Sequence, residues 1–169
     1  MAKKKKDGKG KKDKKDDVPA GPESDPNVLF RNYAKQCEYI GIEVNESIKN
    51  ALYNNEAENS SSQLLIGDSG AGSGNTTSAT KPLGPSGTRA LVKAILGKCD
   101  HDNKTKYTSL QELRIWRSNL GDHGAIAIAQ LFRQAGPEHK ISLVELSDNE
   151  IGVEGAVALG RSLCAGVRV

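Results

Sequence analysis

LQELRIWRSNLGDHGAIAIAQLF (Leu110–Phe132) and ISLVELSDNEIGVEGAVALGRSL (Ile141–Leu163) are two copies of one pattern. Leu110, Leu113, Ile115, Leu120, Gly124, Ile128 and Phe132 fall on Ile141, Val144, Leu146, Ile151, Gly155, Leu159 and Leu163 at a constant shift of 31 residues, and every apolar position meets an apolar one. Each copy joins two periodicities. Leu113 and Ile115 alternate as a short strand with one buried face, whereas Ala125, Ile128, Ala129 and Phe132 recur at helical spacing. Gly124 and Gly155 stand where the chain enters the helix, where the missing Cβ permits a tight turn or a close approach.

The order L-x-x-L-x-L-x-x-N-x-L, followed by Gly and a short apolar helix, resembles the leucine-rich repeat. The repeat length and the G-A-x-A-Φ tail are similar to the ribonuclease-inhibitor subtype. The resemblance implies an α/β fold, a leucine-rich repeat solenoid of short parallel strands each followed by a helix. It also implies a structural role for Asn149, where the family uses an asparagine to hydrogen-bond turn backbone inside the stack. The first copy has Ser118 at that place and Asn119 beside it. Two ordinary βα units of a small α/β domain are the alternative reading of the same spacing.

A third, damaged copy lies upstream. In PLGPSGTRALVKAIL, Leu83, Gly87, Leu91 and Ile95 match Leu120, Gly124, Ile128 and Phe132 at a shift of 37. Its strand is expected over residues 63–66. The Gly-, Ser- and Thr-rich residues 67–81 are expected to form a flexible surface insertion.

Residues 1–17 hold nine Lys and four Asp, a local charge of +5 that leaves the other 152 residues at −2. A block without an apolar run cannot bury surface, so residues 1–24 are expected to be a disordered basic tail and linker. The tail suits acidic surfaces such as nucleic acid, acidic protein tails or anionic lipid, or nuclear import, or it is a solvating terminus without a partner. Asp25-Pro26 is an N-cap and first-turn pair. From there Leu29, Tyr33, Cys37 and Ile40 share one helical face, and Gly41 stops the helix. A second helix is expected from Asn45, with Ile48, Ala51 and Leu52 buried. Residues 25–58 are thus read as a helical cap over the first repeat, or as a hairpin for a partner. Residues 60–169 hold about three repeats.

No secretion signal and no span long enough for a membrane are present. Three cysteines fit a reducing compartment. Cytoplasm is the expected location, with a cytoskeletal or ciliary axonemal assembly as the more specific reading and the nucleus as the one the tail suggests.

Several motifs fail on chemistry. LLIGDSGAGSGNT (Leu64–Thr76) has Gly67 and Gly72 at phosphate-loop spacing, but Ser73 and Gly74 replace the lysine and the Mg²⁺-binding hydroxyl, and Pro82 and Pro85 are expected to interrupt any following helix. DHDNKTKYTSLQE (Asp100–Glu112) begins like a calcium loop, yet Lys104 occupies a ligand position and Thr105 the turn glycine. Cys99 and His101 have no second ligand pair, and Cys99 and Cys164 are expected to pack quietly at helix ends. His123 and His139 are expected in turns, with no nucleophile motif beside them. No catalytic residue, cofactor, metal or specific nucleic-acid site is therefore assigned. A degenerate nucleotide-binding or GTPase-regulating protein is the alternative function, which retention of fluorescent GTP or ATP would reveal.

In the family the strands line an inner curve, and their outward side chains meet protein partners. The resemblance puts Glu112, Arg114, Trp116 and Arg117 there in one repeat, and Leu143, Glu145, Ser147 and Asp148 in the next. Trp116 between two arginines is the most interface-like feature, because Trp and Arg dominate binding hot spots. The alternative is a Trp116 that stacks on Arg114 or a neighbouring strand. The expectation is a non-catalytic interaction scaffold that binds through Glu112, Arg114, Trp116, Arg117, Glu145 and Asp148. A repeat of about 28 residues counted from Ile141 places the next strand at Val169, so the protein is expected to be short or truncated for its architecture. An open C-terminal face would then dock on another subunit, self-associate or expose apolar surface.

Overall fold

A computed structural model describes residues 24–53, 62–67, 81–98 and 105–166. The elements run α1 (Pro26–Ile40), α2 (Glu46–Tyr53), β1 (Gln63–Gly67), α3 (Gly84–Ile95), β2 (Glu112–Trp116), α4 (Gly121–Gln134), β3 (Leu143–Glu145) and α5 (Val153–Gly166). The strands form one parallel sheet in the order β1-β2-β3. Leu64 pairs with Leu113 and Leu113 with Val144, so apolar side chains of successive units lie in one row. Ile66 and Ile115 form a second row. The pairing reproduces the 31-residue shift and places the damaged copy one strand away.

Strand polarity decides which face is inside. Leu64, Ile66, Leu113 and Ile115 are buried and their strand neighbours are not. The buried rows join Leu91 and Ile95 of α3 and Ile128 and Leu131 of α4 in one hydrophobic cluster. Each fully buried Leu or Ile contributes roughly 1.5–3 kcal/mol. The helices pack in the same order as the strands, α3 against α4 and α4 against α5, with α1 against α3 and α2 against β1.

Local capping explains where α1 and α2 begin. The Asp25 carboxylate accepts from Asn27 N–H at 2.9 Å, Pro26 occupies the first turn, and Gly41 closes α1 in the left-handed region at φ 70°. Asn45 Oδ1 accepts from Ser47 N–H at 2.8 Å, and its amide donates to Lys81 O at 2.7 Å, which ties the start of α2 to the approach of α3. Leu29, Tyr33 and Cys37 are buried as their spacing predicts. Burial holds the Tyr33 phenol and the Cys37 thiol above their ordinary pKa values, so both act as neutral core groups. No helix of the described residues is long and apolar enough to cross a membrane.

The structure corrects several expectations. Ile40, on the core face by period, is exposed at the end of α1, because helical spacing does not say whether anything covers the last turn. Gly67 belongs to β1 rather than to the insertion, and 68–80 lie outside the described residues. Pro85 opens α3 instead of interrupting it, since a proline in the first helical turn gives up only an N–H that has no helical partner. His123 sits in the first turn of α4 rather than in a turn. Cys164 lies within α5 and is exposed rather than packed. The basic tail and Cys99 lie outside the described residues.

The start of α5 is capped from the preceding unit. The Asp122 carboxylate of α4 accepts from Gly152 N–H at 2.7 Å and Gly155 N–H at 2.9 Å, satisfying two donors that α5 cannot satisfy itself. Gly155 is required for this approach, since a Cβ there would meet the Asp122 carboxylate at 2.7 Å and the Ala125 methyl at 2.8 Å. Asp122→Ala is expected to lower stability by about 1–2 kcal/mol, as a lost N-cap does. Urea unfolding checks it, and an unchanged midpoint would show that the contact contributes nothing.

His139, between α4 and β3, is partly buried, and neither ring nitrogen has a hydrogen-bond partner. Burial holds its imidazole below the ordinary value, Glu138 opposes this and Lys106 adds to it. A folded pKa below the unfolded one makes the unfolded chain take up the proton first. The contribution is therefore complete above the unfolded pKa and is lost as pH falls through it toward the folded pKa. Melting temperatures followed from about pH 7.5 down to about pH 5.5, the span around an ordinary histidine pKa, should fall further for the native protein than for His139→Leu. Parallel curves would assign the acid sensitivity elsewhere.

Candidate protein-binding face

The outward side chains of the sheet form three rows. Gln63, Glu112 and Leu143 make the first and Leu65, Arg114 and Glu145 the second, each set by backbone pairing. Gly67 and Trp116 begin the third, and Ser147 follows by the same shift. Glu112, Arg114 and Trp116 are half-buried, whereas Leu143, Glu145, Arg117 and Asp148 are exposed. All six expected contact residues thus lie on β2, β3 and the turns that follow them.

The five charged ones also contact one another, which their spacing alone does not reveal. Arg114 bridges Glu112 at 3.2 Å and Glu145 at 3.6 Å, and Arg117 Nε lies 3.5 Å from Asp148. Such exposed pairs contribute roughly 0–1 kcal/mol each. Their effect is to order the guanidinium groups more than to hold the fold. Arg114 Nε is buried without a hydrogen-bond partner, so one donor stays unused in the middle of the face.

Trp116 lies over Gly67 of β1, since a side chain at Gly67 would overlap the indole ring. The stacking alternative is therefore part of the arrangement: the indole roofs the neighbouring strand and keeps some surface in solvent. A tryptophan held in this way offers apolar area at little entropic cost, the property that favours it at interfaces.

The turn after each strand has its own geometry. Arg117 and Asp148 are left-handed at φ 47° and 54°, and Asn119 and Glu150 at φ 51° and 54°, so the 31-residue repeat extends to the backbone. Asn149 fixes it. Only 2% exposed, its side chain accepts from Ser118 N–H at 2.9 Å and donates to Ile115 O at 2.7 Å and Ser147 O at 3.0 Å. Asn149 O accepts from Gly121 N–H at 2.9 Å, and Ser118 O accepts from Gly84 N–H at 2.8 Å. Ser118, with only a hydroxyl, bonds Trp116 O at 2.9 Å.

A family model described as leucine-rich repeat matches residues 139–160. That span is similar to a leucine-rich repeat. It covers β3, the Asn149 turn and the first half of α5, and it supports a leucine-rich repeat protein. No curated protein matches the chain. Among the described residues no group of His, Cys, Asp and Glu could hold a metal ion. Two open clefts lie among the described residues, one of about 440 Å³ beside the α1–α2 connection and one of about 380 Å³ between α3 and α4.

Proposed function

We propose that the protein is a non-catalytic interaction scaffold that binds a protein partner across the outward face of β1, β2 and β3. The observation that carries this reading is the half-buried Trp116 on Gly67, with Arg114 and its unused donor in the next row and the exposed Leu143 at the far end of the same face. A tryptophan next to ordered arginines is the composition that binding hot spots favour. On this reading the three strand–helix units are a short solenoid of the ribonuclease-inhibitor kind, and α1 and α2 cap its first unit.

A cytoplasmic setting in a cytoskeletal or ciliary assembly is proposed with it. Its support is the order of a lysine-rich segment, a helical pair and repeats. The test is affinity capture from cell extract with quantitative mass spectrometry, comparing the native protein with Trp116→Ala and Arg114→Ala. A specific partner should be lost from both variants, by about thirtyfold if the tryptophan contributes the roughly 2 kcal/mol of a hot spot. An identical capture list from all three proteins, each shown to be folded, would remove the strand face from the function.

A further inference from the structure

The groove between α3 and α4 gathers polar side chains that the fold does not use. It lies on the helix side of the sheet, away from Trp116, and Ser86 and Arg89 of α3 line it together with His123 and Gln130 of α4. All four are exposed, while Ile126 and Ala127 form the less accessible part of the lining. Among the described residues none of the four makes a side-chain hydrogen bond or an ion pair. Their neighbours are engaged. Lys93 Nζ lies 5.7 Å from the centre of the Tyr39 ring, and Lys98 Nζ donates to Gln134 Oε1 at 2.7 Å. Arg89 is thus the unmatched cation of this helix pair.

The repeat does not ask for these side chains. The 37-residue shift sets Arg89 on Ile126 and the 31-residue shift sets Ile126 on Val157, so both later units carry an apolar residue at that place. His123 likewise falls on Glu154. In the next groove along, between α4 and α5, the counterparts of Arg89 and His123 are therefore Ile126 and Glu154. Stacking is satisfied there by an isoleucine and an acid, and the arginine and imidazole are particular to the α3–α4 groove. Local departures of this kind, which bring no packing gain, are expected where a fold carries function.

Charge selects the ligand. Residues 81–98 carry Lys81, Arg89, Lys93 and Lys98 and no Asp or Glu. The one acid of α4, Asp122, is occupied by the Gly152 and Gly155 amides, and no carboxylate lines the groove. A cation would find no counter-charge here, whereas an anion meets a guanidinium that is always charged. The donors also come from two sides: the Arg89 fork and Ser86 hydroxyl from α3, the Gln130 amide and His123 ring from α4. Such an arrangement suits a tetrahedral group with acceptor oxygens in several directions more than a flat carboxylate with two.

We propose that the α3–α4 groove binds a phosphate monoester group, with Arg89 as its charged anchor and Ser86, His123 and Gln130 as hydrogen-bonding partners. The site goes beyond the interaction-scaffold reading and does not depend on it, since it uses the opposite side of the sheet. Free phosphate and a phosphoserine of another protein offer the same dianionic chemistry, and the experiment separates them.

The test titrates the complete chain, at constant ionic strength, with inorganic phosphate, with a short phosphoserine peptide and with the same peptide unphosphorylated. Carbon–proton NMR of the His123 ring follows it, because that signal reads the groove and not the lysines of residues 1–17. Saturable shifts are expected from phosphate and from the phosphopeptide, and none from the unphosphorylated peptide. Arg89→Gln should weaken binding by at least about tenfold, as loss of a charge-assisted hydrogen bond does. Arg89→Lys keeps the charge without the fork and should fall between. Arg89 is exposed, so both variants should keep the native urea midpoint, which is measured alongside. Absence of a saturable shift overturns the proposal, and so does equal binding by Arg89→Gln. Tighter binding of the phosphopeptide than of phosphate supports a phosphorylated protein as the source, and equal affinity supports the free ion. Dimethyl phosphate, a diester with a single charge, should bind more weakly than either, and a diester that matches them overturns the assignment to a monoester.

Discussion

Leu113→Asp should abolish cooperative folding. Leu113 has no exposed surface and sits between Leu64 and Val144 in the middle row of the sheet, so its carboxylate would have neither water nor a cation to meet. Losing a buried leucine costs roughly 2–5 kcal/mol, and burying a polar group without a partner adds several more. Small domains have only about 5–15 kcal/mol in total. Loss of the near-ultraviolet signal and of the cooperative urea transition is the expected result, and a variant that melts like the native protein would refute the row assignment. Leu146→Asp should be milder, since Leu146 is only partly buried in the outermost described unit.

Asn149→Ala should have the next largest effect, about 3 kcal/mol, because unsatisfied buried donors and acceptors cost about 1–3 kcal/mol each. The substitution strips Ser118 N–H, Ile115 O and Ser147 O of one side chain at once. Asn149→Asp is expected to be no better. Its carboxylate keeps the bond from Ser118 N–H but faces two carbonyl oxygens with no proton to offer. Ser118→Ala should cost only about 1 kcal/mol, since it loses one local bond. Chemical denaturation of the three variants checks the order, and equal effects of Asn149→Ala and Ser118→Ala would deny the asparagine its role across the seam.

Burial leaves a period in sequence, and partnership does not. Leu113, Ile115, Ile128 and the glycines at helix entry are legible because a strand alternates and a helix returns every three or four residues. The strand of the damaged copy is legible for the same reason, although many residues separate it from its helix. Ile40 is exposed because a helical face continues past the point where anything covers it. Cys164 is exposed because it lies inside α5 on a side that no described residue covers, which a cysteine's usual preference for burial does not reveal. Asp122 leaves no local signal as a cap because its acceptor role lies with amides 30 and 33 residues further along, at the start of another helix. Trp116 was recognisable as an anchor, but its seat on Gly67 follows from a strand register that no local pattern encodes.

The neighbour-to-neighbour build has a mechanical consequence. β2 is held on both sides, whereas among the described residues β3 is held by β2 alone and α5 packs chiefly on α4. Resistance to opening therefore falls along the row instead of being shared equally. A pull applied through α5 would peel away the last unit, with its Asn149 clasp and Asp122 tether, while the Leu64–Leu113 row remained intact. Among the described units the molecule is thus less like a globule that yields all at once than like a short zipper that opens from the β3–α5 side.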